Sequence, residues 1–125
     1  MTRNSNIKFA AALTLSCVVG AAFADGTPMA PDEIKKSWVD KKVFARSISG
    51  VLVDFYLKSD GSAELSTGNF SDSGTWKLSR DGYCTIWRKV RSGSEACFTV
   101  VKDGSNVVVL NADKSKNSEI LKVTD

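Results

Sequence analysis

The sequence predicts an all-β domain, in which an antiparallel meander of eight short strands curls into a small barrel behind one short helix. Two observations carry this prediction. Turn residues recur about every eleven positions, at Gly50, Gly61, the Ser71-Asp72-Ser73-Gly74 cluster, Gly82, Gly93 and Gly104. Between them lie short apolar runs with the alternation of period two that is typical of strands. A two-sheet sandwich is the alternative architecture.

The first 24 residues are predicted to be a secretory signal peptide. Arg3 and Lys8 give a basic start, residues 9–22 are almost wholly apolar or small, and Ala22-Phe23-Ala24 offers a cleavage site after Ala24. The apolar run is too short for a helix that spans a bilayer, which needs about 20 residues. Lipidation of Cys17 is the competing interpretation. We expect one domain over residues 25–125, located in the periplasm or secreted.

Removal of this segment changes the charge and the cysteine count. The net charge falls from +3 to +1 because Arg3 and Lys8 are lost, and a nearly neutral domain has no strong electrostatic reason to bind nucleic acid. Cys84 and Cys97 remain as the only pair, and an oxidising compartment should join them. Two free thiols are the alternative.

The cysteine pair also constrains the hairpin that carries it. A two-residue Ser92-Gly93 turn would hold Cys84 and Cys97 too far apart for a disulfide. Direct opposition instead centres the hairpin between Val90 and Arg91. We therefore expect a longer loop or a bulge there.

The helix is expected over residues 30–39. Pro31 suits the first helical position, where its missing N–H costs nothing, and Asp32 and Glu33 favour the positive end of the helix dipole. Ile34 and Trp38 lie four residues apart and therefore on one face. This helix is expected to lie against the sheet as a plug or lid.

The strands follow from alternation and turn spacing. The clearest is 51–58, where apolar Val51, Val53, Phe55 and Leu57 occupy alternate positions. In the strand over 74–79, Trp76 and Leu78 are expected to face inward. The eight strands are predicted over residues 43–48, 51–58, 62–67, 74–79, 83–90, 95–102, 107–112 and 119–124.

One stretch resembles a known family. The positions Gly74-Thr75-Trp76, Tyr83-Cys84, Trp87 and Cys97 are similar to those of small exported bacterial proteins catalogued as domain of unknown function 995. The resemblance covers most of the mature chain, from the Pro31 helix to about Gly104. It implies a periplasmic or secreted bacterial domain and supports the disulfide. It implies no activity.

The sequence lacks the residues that several kinds of catalysis, metal binding and nucleotide binding require. The chain has no histidine, which removes Ser-His-Asp and Cys-His catalysis in their usual forms and most zinc sites. Glycine-rich nucleotide loops are missing from the sequence. We expect no cofactor and no metal.

Three candidate sites remain. Asp54 and Glu64 share the outward face of neighbouring strands and resemble the paired carboxylates of glycoside hydrolases, although one of them would have to be buried to act as an acid. The favoured interpretation is that both are solvated on the polar face of a meander, since the alternation of period two already explains them. The barrel interior holds either one small ligand or only its own bulky side chains, for which the candidates are Trp76, Phe55, Phe98 and Leu78.

The third candidate is a binding surface on the cysteine hairpin. Arg88, Lys89 and Arg91 stand beside Tyr83 and Trp87, and basic residues interleaved with aromatic ones can bind an anion, a polysaccharide or single-stranded nucleic acid. A solvated hairpin tip beside a packed tryptophan is the alternative.

The function predicted from these observations is a non-enzymatic binding module of the bacterial envelope, lipocalin-like in outline and not membrane-spanning. Its partner would be an envelope component, a small apolar ligand or a protein. The first alternative is a protein inhibitor of a hydrolase that acts through residues 88–94. The second is a hydrolase built on Asp54 and Glu64.

Overall fold

The computed structural model describes residues 26–125, so the predicted signal peptide and Cys17 lie outside the described residues. No helix in the described part is long and apolar enough to cross a membrane. A 3-10 turn spans Val90–Gly93. The elements are β1 (Thr27–Pro28), α1 (Pro31–Trp38), β2 (Lys42–Ser47), β3 (Leu52–Leu57), β4 (Ser62–Thr67), β5 (Phe70–Leu78), β6 (Tyr83–Trp87), β7 (Glu95–Asp103), β8 (Asn106–Leu110) and β9 (Lys116–Thr124).

Strands β2 to β9 form a closed antiparallel barrel. Each pairs with the next along the chain, and β2 also pairs with β9, which closes the circle. The short β1 pairs with β7, next to the segment of β7 that pairs with β6, and Thr27 lies opposite Lys102. The prediction of an eight-stranded meander closed into a small barrel with one helix is confirmed.

The Ser71-Asp72-Ser73-Gly74 cluster was predicted to be a turn, and this is wrong. These residues belong to β5, where Ser71 pairs with Ser66 and Ser73 pairs with Glu64. The chain reverses earlier, at Gly68-Asn69, because Gly68 adopts a φ of 51° that glycine tolerates at small steric cost. The strand therefore starts at Phe70 rather than at Gly74.

The glycines predicted at turns fall into two kinds. Gly61 and Gly104 have φ of 90° and 64°, as a tight hairpin turn requires. Gly82 does not have positive φ. A Cβ atom there would lie 2.0 Å from the carbonyl oxygen of Phe98. Glycine is therefore needed at position 82 because the backbone of Phe98 lies so close to it.

The helix closes one end of the barrel, as predicted. Ile34 and Trp38 are buried in the core, and the Trp38 ring makes edge-on contacts with Phe55 and Tyr83, each with 5.7 Å between ring centroids. We call this the helix end. At the opposite end, called the open end, lie the loops of residues 48–51, 68–69, 88–94 and 111–115.

The predicted disulfide is confirmed. Cys84 and Cys97 lie directly opposite each other on β6 and β7, and their sulfur atoms are bonded at 2.04 Å. The hairpin beyond them has the expected longer loop, residues 88–94. A disulfide of this kind is typical of proteins that fold outside the cytoplasm.

Candidate functional site

The barrel interior contains a small cavity at the open end. Its volume is about 150 Å³, and the rest of the interior is filled by the core, including Trp38, Leu57 and Val100. The larger part of the cavity wall is apolar and is formed by Val53, Phe55, Leu65, Trp87, Val90 and Phe98. A cavity of this volume lined by apolar side chains can hold a molecule of benzene size.

Two buried hydroxyl groups line the same cavity, those of Thr85 on β6 and Ser118 on β9. Thr85 Oγ1 has no hydrogen-bond partner among the described residues. A buried hydroxyl without a partner costs about 1–3 kcal/mol of stability. Such a group is therefore available to a ligand or to a bound water.

Tyr83 forms part of the cavity wall from β6. Burial raises the pKa of its phenol well above the ordinary value, and the nearby Arg91 charge opposes this only in part. The ring packs against Phe98 with 5.3 Å between centroids. Tyr83 therefore stays neutral at every physiological pH and gives the cavity an aromatic wall.

The 88–94 loop lies over the mouth of the cavity and is held from β5 by Asp72. The buried Asp72 carboxylate accepts hydrogen bonds from the backbone N–H groups of Lys89 and Val90, both at 2.9 Å, and of Ser73 at 2.8 Å. Burial pushes the pKa of Asp72 upward, but these N–H groups outweigh it and the pKa is lowered. Asp72 is therefore ionised at neutral pH and fixes the start of the loop.

Past this anchor the loop takes an unusual path. Arg91 and Ser92 have φ of 56° and 52°, in the left-handed region that costs roughly 1–2 kcal/mol for a residue with a side chain. Strain of this kind concentrates at functional sites. Here the strained turn places the Arg91 guanidinium 5.3 Å above the Phe98 ring, at the cavity.

The Arg91 charge is not neutralised nearby. Within residues 26–125, no carboxylate lies within ion-pairing distance of it. A cation at the mouth of an apolar cavity favours a ligand with a negative group. The arrangement can therefore hold an apolar body inside the barrel and an anionic group at its rim.

The five residues of the predicted binding surface do not form one surface. Tyr83 and Trp87 are buried inside the barrel, and Arg91 lies at the cavity mouth. Arg88 and Lys89 are exposed and line a separate open groove on the outside. The reason is that Tyr83 and Trp87 occupy buried positions of β6, whereas Arg88 and Lys89 lie beyond its end in the 88–94 loop.

That outer groove has a volume of about 890 Å³ and also contains the carboxylate pair. Asp54 pairs with Ser66, and Glu64 pairs with Tyr56 on the neighbouring strand, so the two carboxylates are diagonal neighbours, as expected. Glu64 is exposed and forms an ion pair with Lys58 at 2.9 Å, while Asp54 is half-buried. Neither has the enclosed setting that general acid catalysis by a carboxyl group requires.

Another group of potential ligand atoms lies beside the disulfide. The donor atoms of Cys84, Cys97 and Glu95 lie within 4.8 Å of one another. Both sulfurs are bonded to each other, and Glu95 forms an ion pair with Lys77 at 3.3 Å. The group therefore offers no thiolate to a metal ion.

Sequence reasoning missed Asp72, Thr85 and Ser118. Asp72 stood in a cluster that has the composition of a turn, and its role depends on a loop 17 residues further along the chain. The sequence offered one indication for Thr85. Side chains alternate between the two faces of β6, and Thr85 lies midway between the inward-facing positions 83 and 87.

No protein-family model matches the chain, and no curated protein or solved structure matches it. The resemblance to domain of unknown function 995 stays a prediction. The function must therefore be argued from the geometry of the site.

Proposed function

We propose that the chain is an exported, non-enzymatic binding module of the bacterial envelope, in the periplasm or secreted. Its ligand is a small molecule with an apolar body, the size of an aromatic ring or a short acyl chain, and one anionic group. The apolar body occupies the cavity, and the anionic group pairs with Arg91. The observation that carries the proposal is the Arg91 guanidinium, which lies at the mouth of an aromatic-lined cavity and has no carboxylate partner in the part of the chain that the structure describes.

The energetic argument favours this ligand class over a purely apolar one. Burial of apolar surface contributes roughly 25 cal/mol per Å², and a cavity of about 150 Å³ limits how much can be buried. Arg91 is exposed, and an ion pair between exposed groups adds about 0.2–1 kcal/mol. The charge at the mouth therefore makes a carboxylate bind more tightly than a neutral molecule of similar shape.

Calorimetric titration tests the proposal, with benzoate and hexanoate as probes and methyl benzoate as the neutral comparison. We expect the carboxylates to bind more tightly than the ester. Arg91→Gln should weaken carboxylate binding by up to about fivefold and leave ester binding nearly unchanged.

Two further variants sharpen this test. Arg88→Gln removes the same charge type from the outer groove and should leave both affinities unchanged. Ala45→Leu places a larger side chain in the cavity wall and should abolish binding of both probes. Equal affinities in all variants would refute the proposal.

A second candidate is the inhibitor of a hydrolase, favoured by the anchoring of the 88–94 loop on Asp72. A loop held rigid before binding loses little conformational entropy when it enters an active site. Assays of periplasmic and secreted hydrolases with and without the chain test this candidate. Inhibition that Asp72→Asn weakens would support it, and unchanged hydrolase rates would exclude it.

A further inference from the structure

Exposed apolar side chains are concentrated at the open end. Of the seven large apolar side chains that the described residues expose, Ile48, Val51 and Leu52 lie at the tip of the β2–β3 hairpin and Phe70 begins β5. Their exposed fractions are 71%, 46%, 49% and 41%. Single exposed apolar residues are ordinary, whereas a group of them at one tip indicates an interaction surface.

The same end carries positive charge. The basic residues of its loops are Arg88, Lys89, Arg91 and Lys114, against the single acidic Asp113. At the helix end, by contrast, Lys35 and Lys36 of α1 are accompanied by Asp32 and Glu33. The charge of an almost neutral domain is therefore unevenly distributed, with its basic side beside the apolar tip.

The apolar and basic groups adjoin each other. Lys89 Nζ lies 5.5 Å from the centre of the Phe70 ring. Ser47 and Val53, which flank the hairpin, line the same cavity as Val90 and Arg91. The tip and the basic loop therefore stand on two sides of one rim.

We propose that the open end docks on an anionic lipid surface. The hairpin tip, Ile48 with Val51 and Leu52, enters the boundary between headgroups and acyl chains, while Arg88 and Lys89 contact the anionic headgroups. Apolar side chains flanked by basic ones are the combination by which peripheral proteins bind such surfaces. Each Lys or Arg near an anionic surface strengthens the attraction.

The basic charge of the open end favours an anionic lipid surface over a second copy of the chain as the partner. A two-fold dimer through the tip would place the same basic loops of both copies at one interface, where like charges repel. An anionic surface compensates these charges instead. The docking proposal does not rest on the proposed ligand. In the docked protein the cavity mouth would face the membrane.

Vesicle sedimentation tests the docking. The protein is the chain purified after export, since a retained signal peptide would itself bind lipid; residues 26–125 contain the complete barrel and its core. The vesicles contain phosphatidylglycerol and phosphatidylethanolamine, or phosphatidylcholine alone. We expect binding to the anionic vesicles and at least about tenfold weaker binding to phosphatidylcholine.

Paired variants separate the two contributions. Arg88→Gln with Lys89→Gln should weaken binding to anionic vesicles about thirtyfold, and Ile48→Ser with Leu52→Ser should weaken it at least about tenfold. Lys35→Gln with Lys36→Gln removes the same charge from the helix end and should leave binding unchanged. Circular dichroism confirms that each variant, altered only at exposed positions, remains folded.

Three results would overturn the proposal. The first is absence of binding, or equal binding to both kinds of vesicle. The second is an equal loss in the helix-end variant, which would mean that net charge alone acts. The third is a dimer in solution that Leu52→Ser dissociates, which would assign the tip to a second copy.

Discussion

The carboxylate of Asp72 accepts the backbone N–H of Val90 at 2.9 Å, and this contact ties the fifth strand to the loop over the cavity. Asp72 also accepts the N–H of Lys89, so one buried side chain satisfies two donors at the start of the 3-10 turn. The two left-handed residues that follow, Arg91 and Ser92, are thereby held in place. The proposed capture of an anionic ligand by Arg91 would depend on this anchor.

Asp72 should make stability depend on pH in the acidic range. Its pKa is lowered in the folded protein, so its contribution is fully present above the unfolded value near 4 and is lost as the pH falls through the folded value. Asp72→Asn should lower the unfolding midpoint in urea at neutral pH and flatten the loss of stability below about pH 4. Urea unfolding at a series of pH values measures both effects.

Asp60→Asn is the matched control for Asp72→Asn. The pKa of Asp60 is also lowered, by hydrogen bonds from Ser62 in an exposed turn. Hydrogen exchange at the amides of Lys89 and Val90 should accelerate in Asp72→Asn and stay unchanged in Asp60→Asn. Unchanged exchange in both variants would show that the loop has another anchor.

The disulfide should contribute to stability without specifying the barrel. Replacement of both Cys84 and Cys97 by alanine should lower the free energy of unfolding by about 3 kcal/mol. The barrel should persist because β6 and β7 still pair with each other and with β5 and β8. A reducing agent should destabilise the wild type by a similar amount and leave the double variant unaffected. A double variant as stable as the wild type would contradict this.

Gly82 should be far less tolerant of substitution than Gly104. Gly82→Ala would place a Cβ atom 2.0 Å from the Phe98 carbonyl oxygen, and the forced backbone shift should cost about 3 kcal/mol or more. Gly104→Ala meets open space at a φ of 64° and should cost only about 1 kcal/mol. Thermal or urea unfolding measures the loss of stability in each variant. Similar losses in the two variants would contradict the close contact between Gly82 and the Phe98 backbone.

Thr85→Val should stabilise the protein and weaken ligand binding. Removal of the unpartnered hydroxyl is expected to add about 1 kcal/mol to the free energy of unfolding and to lower the affinity for benzoate severalfold. Thr99→Val is the control, since its buried hydroxyl likewise has no hydrogen-bond partner within the described residues but lies outside the cavity wall. Thr99→Val should gain stability and bind benzoate with unchanged affinity. A loss of stability in Thr85→Val would mean that the Thr85 hydroxyl already has a hydrogen-bond partner.

The barrel was predictable from sequence because its signals are local. Period-two alternation and turn glycines such as Gly61 lie within each hairpin, and the two cysteines fixed the register of β6 against β7. The site was less predictable because its contacts cross the fold. Asp72 meets a loop on another hairpin, Arg91 reaches the cavity through a left-handed turn, and Gly82 is required by a strand that comes later in the chain.

The central claim is that the cavity at the open end is the binding site, and chemical-shift mapping of the labelled protein with benzoate tests it most directly. We expect saturable shifts at Thr85, Trp87 and Phe98 and at the Arg91 side chain, and in Arg91→Gln the shifts at Thr85, Trp87 and Phe98 should saturate only at a higher benzoate concentration. Shifts confined to the outer groove around Asp54 and Glu64, or no shifts at saturating benzoate, would contradict it.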